Sequence, residues 1–393
     1  MNSVVFVFLF ALLAYSTLGS LTLFVLAVLH LAKWPKLQKN SPASSGLRFA
    51  VVVPAHNEQQ CLGDTLAAIA TMDYPAELFQ TVVVADNCDD ATAQVARNAG
   101  VRVMERRDTL LRGKGYALRL AFDAVLAEPF DAVVVIDADT RPMANLLKEF
   151  AAALSNGREV VQCRYGADNP DASSLSWLLV LGNVLENDFY HEPRARLGLP
   201  TILRGNGMCF AAQVLRENPW QAYSITEDTE YGILLLERGI EVAYLPATGV
   251  TTRLPETFEQ LKTQRERWAA GNAAIARTRV PGLISRAVKT GDWRLADAAW
   301  SLLVSSKPQL IGCAFLASLI ALIMQQGAFV AWGAGVLTLH GILLALGVRA
   351  MKSLDSSLSA LLHLPGVLWF LTRTLAKGCL SRTQKAWMRT GRS

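Results

Sequence analysis

The stretch Phe49-Ala50-Val51-Val52-Val53-Pro54-Ala55-His56-Asn57-Glu58 is a short, unbroken apolar run that ends in polar and acidic residues. Such a run, without alternation, predicts a strand buried on both faces. Three more of the same kind follow at Thr81 to Ala85, Val101 to Met104 and Ala132 to Ile136. Between them Gln59 to Thr71, Ala91 to Ala99 and Gly115 to Ala127 carry apolar residues at a spacing near 3.6, the period of a helix packed on one side. Strand and helix in alternation predict a doubly wound, largely parallel α/β sheet.

Outward from this core the chain turns apolar. Of 393 residues 52% are hydrophobic and only 18% charged, and the excess lies at the two ends, which excludes an ordinary soluble enzyme. No Asp, Glu, Lys or Arg occurs from Asn2 to Ala32, long enough to cross a hydrocarbon layer of about 30 Å. Lys33, Lys36, Lys39 and Arg48 follow it, so the positive-inside rule puts residue 33 onward in the cytoplasm. The predicted organisation is a transmembrane anchor over 1–33, a linker over 34–47, a cytoplasmic globular domain over 48–280 and an amphipathic interfacial segment over 281–306. A transmembrane hairpin over 307–349 and a short apolar segment with a basic tail over 350–393 complete it. Pro308 to Val348 carries no charge and breaks only at Gln325-Gln326-Gly327, the mark of a hairpin. Ser356 to Thr372 is uncharged but short, and the basic tail after it favours an interfacial or re-entrant segment over a span. Cys61, Cys88, Cys163, Cys209, Cys313 and Cys379 form no C-x-x-C pair and read as reduced thiols, with no structural zinc. A net charge of +5, partly in the tail, fits contact with anionic lipid and not a nucleic-acid surface.

In an open α/β sheet ligands bind beyond the carboxyl ends of the strands. Here those ends are acidic: Glu58, then Asp86-Asn87-Cys88-Asp89-Asp90, then Asp137-Ala138-Asp139. Asp89 and Asp90 read as turn or helix-cap residues. Asp137 and Asp139, two apart, point to one face if the segment is extended, and can share a hard cation such as Mg2+ or Mn2+; a solvated turn is the alternative. Arg112-Gly113-Lys114-Gly115 opens a helix with glycines around a cation, suited to a phosphate. There is no Walker A or G-x-G-x-x-G spacing. Ser224 and Glu227 fit a capping box, which leaves Asp228 over as a candidate general base. Gln264, Arg267 and Trp268 share a helix face able to grip a diphosphate and stack a sugar, or to lie on a membrane.

Taken in order, these motifs resemble glycosyltransferase family 2, whose members include cellulose, chitin and hyaluronan synthases and exopolysaccharide and glycolipid enzymes. Val51 to Glu58 resembles its opening nucleotide-binding strand, Asp137-Ala138-Asp139 its D-x-D, Thr226-Glu227-Asp228 its T-E-D, and Gln264 to Trp268 its Q-x-x-R-W. The segment Arg204-Gly205-Asn206-Gly207-Met208-Cys209-Phe210 stands where members have a strand near the acceptor, and Trp387 to Arg392 is similar to some exopolysaccharide tails. Ala85-Asp86-Asn87-Cys88 departs from the usual D-D-G-S.

The resemblance implies a GT-A domain with N- and C-terminal transmembrane helices, and an inverting transfer from a nucleotide sugar, a UDP-sugar above all, to a lipid or glycan acceptor at the inner or plasma membrane. It implies Asp228 as base and Asp137 and Asp139 on Mg2+ or Mn2+. Pro54, Glu58, Asp86, Lys114, Asp137, Gln264 and Arg267 would hold the nucleotide sugar. Arg204, Asn206, Gly207, Glu227 and Trp268 would meet the acceptor. An export or accessory membrane protein is an expected partner. A polyprenyl-phosphate glycosyltransferase shares the D-x-D, but Gln264 to Trp268 speaks against it. A non-catalytic nucleotide-sugar-binding module would lack motif carboxylates, and all are present here.

Overall fold

The computed structural model describes residues 3–35, 46–304, 306–351 and 357–380. Lys36, Lys39, Arg382, Lys385 and the segment Trp387 to Arg392 lie outside the described residues, as does the side chain of Cys379. The chain divides into two compact units, one holding residues 46–169 and 198–254, the other 3–35, 170–197 and 255–380.

The first unit is built on eight strands: β1 (Phe49–Ala55), β2 (Phe79–Asp86), β3 (Arg102–Arg106), β4 (Ala132–Val135), β5 (Thr140–Pro142), β6 (Val160–Ala167), β7 (Met208–Ala211) and β8 (Val242–Thr252). They form one sheet in the order β3-β2-β1-β4-β7-β6-β8-β5. Strands β3, β2, β1 and β4 are parallel, as the four apolar runs predict, with Phe49 in register with Phe79 on one side and Ala132 on the other. Helices α2 (Leu62–Ala70), α3 (Thr92–Asn98) and α4 (Lys114–Val125) make the crossovers. Alternate residues of β1 explain why the run is apolar throughout. Phe49, Val51 and Val53 pack with Leu62, Ile69 and Phe150 on one face, and Ala50 and Val52 pack with Leu118, Phe122 and Trp220 on the other. The second half departs from a simple doubly wound sheet, because β7 runs antiparallel to both β4 and β6. Helices α5 (Leu146–Ser155), α8 (Ala212–Glu217) and α9 (Glu227–Glu237) complete this unit.

The second unit is helical: α1 (Ser3–Leu31), α6 (Ser174–Glu186), α7 (Glu192–Arg196), α10 (Phe258–Thr290), α11 (Trp293–Val304), α12 (Lys307–Ile323), α13 (Gly327–Met351) and α14 (Ser357–Leu380). Two of these, α1 and α13, are long and apolar enough to cross a membrane, or three spans exist if α11 and α12 count as one broken span. Polar side chains tie α1 to its neighbours where no hydrophobic drive would act in lipid. Ser16 Oγ donates to the Leu310 carbonyl at 3.0 Å, and Trp332 Nε1 donates to Thr17 Oγ1 at 2.8 Å. Between α6 and α7 the segment Asn187–His191 forms a π-helical turn.

Two glycines of the sheet unit are forced by close approach. A Cβ on Gly115 would stand 2.3 Å from the Ala222 carbonyl oxygen, and one on Gly207, at φ +64°, 2.3 Å from Cys163 Sγ. Backbone cannot yield as a flexible side chain can. Gly115→Ala is therefore expected to cost about 1–3 kcal/mol, whereas Gly182→Ala, in α6 with open space around it, should be neutral or stabilising by up to about 1 kcal/mol. Thermal midpoints of the purified variants check this, and equal midpoints would contradict the packing described.

Candidate active site

Strand directions bring the motifs to one edge. The carboxyl ends of β1, β2, β3, β4 and β8 and the amino ends of the antiparallel β5 and β7 all lie on the same side of the sheet. The antiparallel β7 is what delivers Arg204 to Gly207 to the edge where Asp137 stands.

Lys114 is the first residue of α4, after Gly113 at φ +130°. Its ammonium donates to Asp137 Oδ1 and to the Gly205 carbonyl. A Cβ on Gly205, at φ +79°, would lie 3.1 Å from Asp228 Oδ2 and 3.6 Å from Lys114 Nζ, so only glycine leaves this meeting point open. Asp137 is held from behind by Asn206, whose Oδ1 accepts the Asp137 N–H at 3.1 Å while its Nδ2 donates to Thr140 Oγ1 at 2.7 Å. Asn206 is 2% exposed, so its amide fixes the turn after β4.

Electrostatics follow from that convergence. Burial pushes the Glu227 carboxyl up, and the Asp228 carboxylate beside it adds to the effect, to about 8, against the opposing pull of Lys114. Burial likewise raises Asp228 above the ordinary carboxylate range, opposed by the Thr229 N–H and by Lys114. Burial by itself would lower Lys114, but Asp137, Glu227 and Asp228 together hold it above its usual value. Three carboxylates share one ammonium, and the excess negative charge is stored as retained protons.

The capping box expected at Ser224 and Glu227 is absent. Helix α9 starts at Glu227 with no side-chain cap at Thr226, and the Ser224 N–H donates to Glu230 Oε2 at 3.1 Å. Glu227 is buried beside Asp228 and Lys114, whose charge outweighs a local cap worth about 1 kcal/mol. The D-x-D is likewise not extended: Ala138 and Asp139 form a turn. Asp139 accepts from Thr252 Oγ1 at 3.2 Å and Thr140 Oγ1 at 3.3 Å, while Asp137 faces Lys114.

A second cluster lies at the ends of β2 and β3. Asp86, 5% exposed, accepts from Arg106 Nη1 at 2.7 Å and from Asn87 Nδ2 at 3.0 Å. Arg106 also donates to Asp108 and to the Leu111 carbonyl, and its guanidinium lies 5.5 Å from the Tyr116 ring centroid. Tyr116 stacks on Tyr223 at 4.4 Å. The sequence reading passed over Arg106, although it faces Asp86 in register and stands at a strand's carboxyl end. Pro54 is the penultimate residue of β1; the Glu58 N–H donates to Thr92 Oγ1 at 2.7 Å, and Glu58 Oε2 accepts from Cys61 Sγ at 3.1 Å. Asp90 accepts from the Thr92 N–H at 2.9 Å, the turn role expected of it. Arg204 lies 5.5 Å over the Tyr165 ring. Gln264, Arg267 and Trp268 fall on α10 of the helical unit, half-buried, with the Arg265 guanidinium 5.2 Å over the Trp268 ring.

No three His, Cys, Asp or Glu among the described residues are set to enclose a metal. The chemistry at Asp137 and Asp139 nonetheless fits a hard cation of the Mg2+ kind, which takes one or two carboxylates and completes its octahedron with phosphate and water oxygens. The surplus negative charge around Lys114 favours a cation there.

A family model described as glycosyltransferase like family 2 matches residues 47–271, more than half of the chain. The chain belongs to that family, and its sheet unit has the GT-A fold. It is 23% identical over 255 residues to the probable glycosyltransferase YdaM of Bacillus subtilis (strain 168), an overlap of 63% of this chain and 59% of that protein. To the probable glucomannan 4-beta-mannosyltransferase 3 of Arabidopsis thaliana it is 21% identical over 261 residues, 62% of this chain and 47% of the other. The chain thus spans about half the length of the curated relatives it matches. Among solved structures it is similar in fold to the mannosyltransferase PcManGT from Pyrobaculum calidifontis, in complex with GDP-Man and Mn2+. The TM-score is 0.59 at 19% identity, over 89% of this chain and 100% of that one.

Because Glu227 keeps its proton to a higher pH when folded than when unfolded, the native state binds more protons, and stability falls as pH rises. In a chelator, the loss between about pH 5 and 8 is expected to be on the order of 2–4 kcal/mol, and Glu227→Gln should remove most of it. Denaturation midpoints across that pH range check this; an unchanged slope in Glu227→Gln would locate the proton elsewhere.

Proposed function

We propose that this chain is an inverting glycosyltransferase that moves a sugar from a nucleotide sugar to a membrane-associated lipid or glycan acceptor. The observation that carries the reading is the convergence of Lys114, Asp137, Gly205, Glu227 and Asp228 at the carboxyl edge of the sheet. Family membership and the fold shared with an enzyme solved with GDP-Man and Mn2+ support the substrate class, with UDP- or GDP-sugars as donors.

In this reading Asp86 and Arg106 face the nucleoside, with Pro54 and Glu58 beside them. Lys114, freed from Asp137, meets the diphosphate. Asp137 and Asp139 would hold a divalent cation, which would supply positive charge to the leaving diphosphate. Asp228 takes the proton of the acceptor hydroxyl as that oxygen bonds to the sugar carbon on the face opposite the diphosphate, which inverts the carbon. Glu227 and the Arg204 to Gly207 loop border the acceptor hydroxyl. The apolar α1 and α13, and the cations that flank them, support a multi-pass protein of the inner or plasma membrane with the sheet unit in the cytoplasm.

Asp228→Asn is expected to lose transfer by at least about a hundredfold while keeping nucleotide affinity, since it removes only the base. Turnover measured with radiolabelled UDP- and GDP-sugars on membrane lipid extract checks it, and near wild-type turnover would sink the assignment. Asp139→Asn should lose the Mn2+-dependent part of UDP or GDP affinity in calorimetry. Unchanged, metal-dependent affinity would take Asp139 out of the site.

A further inference from the structure

Between β3 and α4 the chain turns through Arg107-Asp108-Thr109-Leu110-Leu111-Arg112. Leu110 is 92% exposed, the most exposed large apolar side chain among the described residues, and Leu111 beside it is 47% exposed. Arg107 and Arg112, on either side, are exposed as well, and neither has an ion-pair partner among the described residues. The tip is nonetheless clasped. Asp108 Oδ1 accepts the N–H groups of Leu110 and Leu111, each at 2.9 Å, and the Asp108 N–H donates to Asn87 Oδ1 at 2.8 Å. Arg106 Nη2 donates to Asp108 Oδ2 at 3.2 Å and to the Leu111 carbonyl at 2.5 Å. The Leu111 and Leu110 N–H groups hold the Asp108 carboxyl below its ordinary range, so the clasp stays ionised near neutral pH.

A single exposed leucine on a protein surface needs no cause. Two in succession, held outward by a turn whose backbone groups are already bonded, point to something apolar that covers them. The arginines on either side add that it carries negative charge. A leaflet of anionic lipid offers both at the right depth, since leucines favour the boundary of the acyl chains and guanidinium ions the phosphates above it. The chain also keeps such a surface near. Only residues 32–48 separate the end of α1 from β1, and a chain of that length reaches no further than about 60 Å. With α1 as a tether, a contact too weak to hold a free protein becomes populated, because the tether sets the local concentration.

We propose that this tip is a membrane contact of the sheet unit: Leu110 and Leu111 enter the boundary between headgroups and acyl chains of an anionic leaflet, and Arg107 and Arg112 lie on its phosphates. Leu111 stands three residues before Lys114, so their Cα atoms are within about 11 Å of one another. The contact therefore brings the carboxyl edge of the sheet to the bilayer surface. Arg106, bonded to both Asp86 and the Leu111 carbonyl, joins the tip to the candidate site. The proposal rests on the reading that α1 crosses a bilayer and leaves the sheet unit at its cytoplasmic face.

The test uses the full chain in phosphatidylethanolamine nanodiscs that contain phosphatidylglycerol with a photoactivatable group next to its headgroup, and maps the adducts by mass spectrometry. Residues 107–112 are expected to carry far more adduct than Arg97 to Gly100, an exposed turn at the amino end of β3 and so on the far side of the sheet. Leu110→Ser with Leu111→Ser and, separately, Arg107→Gln with Arg112→Gln should each cut labelling of 107–112 at least about fivefold. Both double variants change only exposed side chains, so their thermal midpoints should match wild type. Labelling at 107–112 no greater than at 97–100, or unchanged in both double variants, would overturn the contact. Protection of 107–112 from hydrogen exchange on adding UDP or GDP with Mn2+ would then mark the loop as a lid on the nucleotide instead. Release of the chain from membranes by alkaline carbonate would overturn the spanning reading itself, whereas retention without labelling overturns only the contact.

Discussion

The ammonium of Lys114 is the charge on which the candidate site depends. Asp137, Glu227 and Asp228 gather where water is scarce, and without a cation at least two of them would have to be neutral or displaced. Lys114 can stand there only because its neighbours are small. Gly115 lets α4 start against the Ala222 carbonyl, and Gly205 leaves the gap through which Lys114 and Asp228 approach one another. A charge constraint has thus become a backbone constraint, written as glycines at 115 and 205.

The same constraint fixes the direction of β7. Were it parallel to β4, its amino end and the Gly205 carbonyl would fall on the far side of the sheet from Lys114. Pairing antiparallel, Met208 with Val135 and Cys209 with Val134, it returns the loop to the active edge and sets Asn206 under Asp137. Parallel strands with helical crossovers provide a rigid base, and the one reversal in the middle of the sheet adds a second wall. Thr140 and Thr252, from the amino end of β5 and the carboxyl end of β8, then hold Asp139 by its oxygens.

How much of this was legible depended on whether a feature was local. The runs at Phe49, Thr81, Val101 and Ala132 announced four parallel strands because burial on both faces leaves no polar positions, and their acidic ends named the edge. Lys114 was legible from its glycines. Arg106 was not, since a single basic residue past an apolar run carries no mark until the register sets it opposite Asp86. Ser224 and Glu227 misled for the opposite reason: the spacing satisfied a local rule, and a distant lysine claimed the glutamate. At Asp137 and Asp139 an extended segment was assumed, but the Asn206 amide bends it into a turn.

Buried charge recurs in the helical unit, where it has a different use. Arg194, 4% exposed, makes two hydrogen bonds to Asp297, at 3.0 and 2.5 Å, while Tyr190 donates to Ser301 Oγ at 3.0 Å. Between apolar helices, leucines pack almost as well after sliding by one turn, so packing alone gives little register. A fork-to-fork arginine pair does not survive such a slide, because both ions would be left unpaired in a dry place. The π-helical turn at Asn187–His191 adds to this selection: the extra residue in that turn lets Tyr190, His191 and Arg194 meet Ser301, Glu186 and Asp297 in one arrangement. Register in this unit therefore comes from ion pairs at the helix ends.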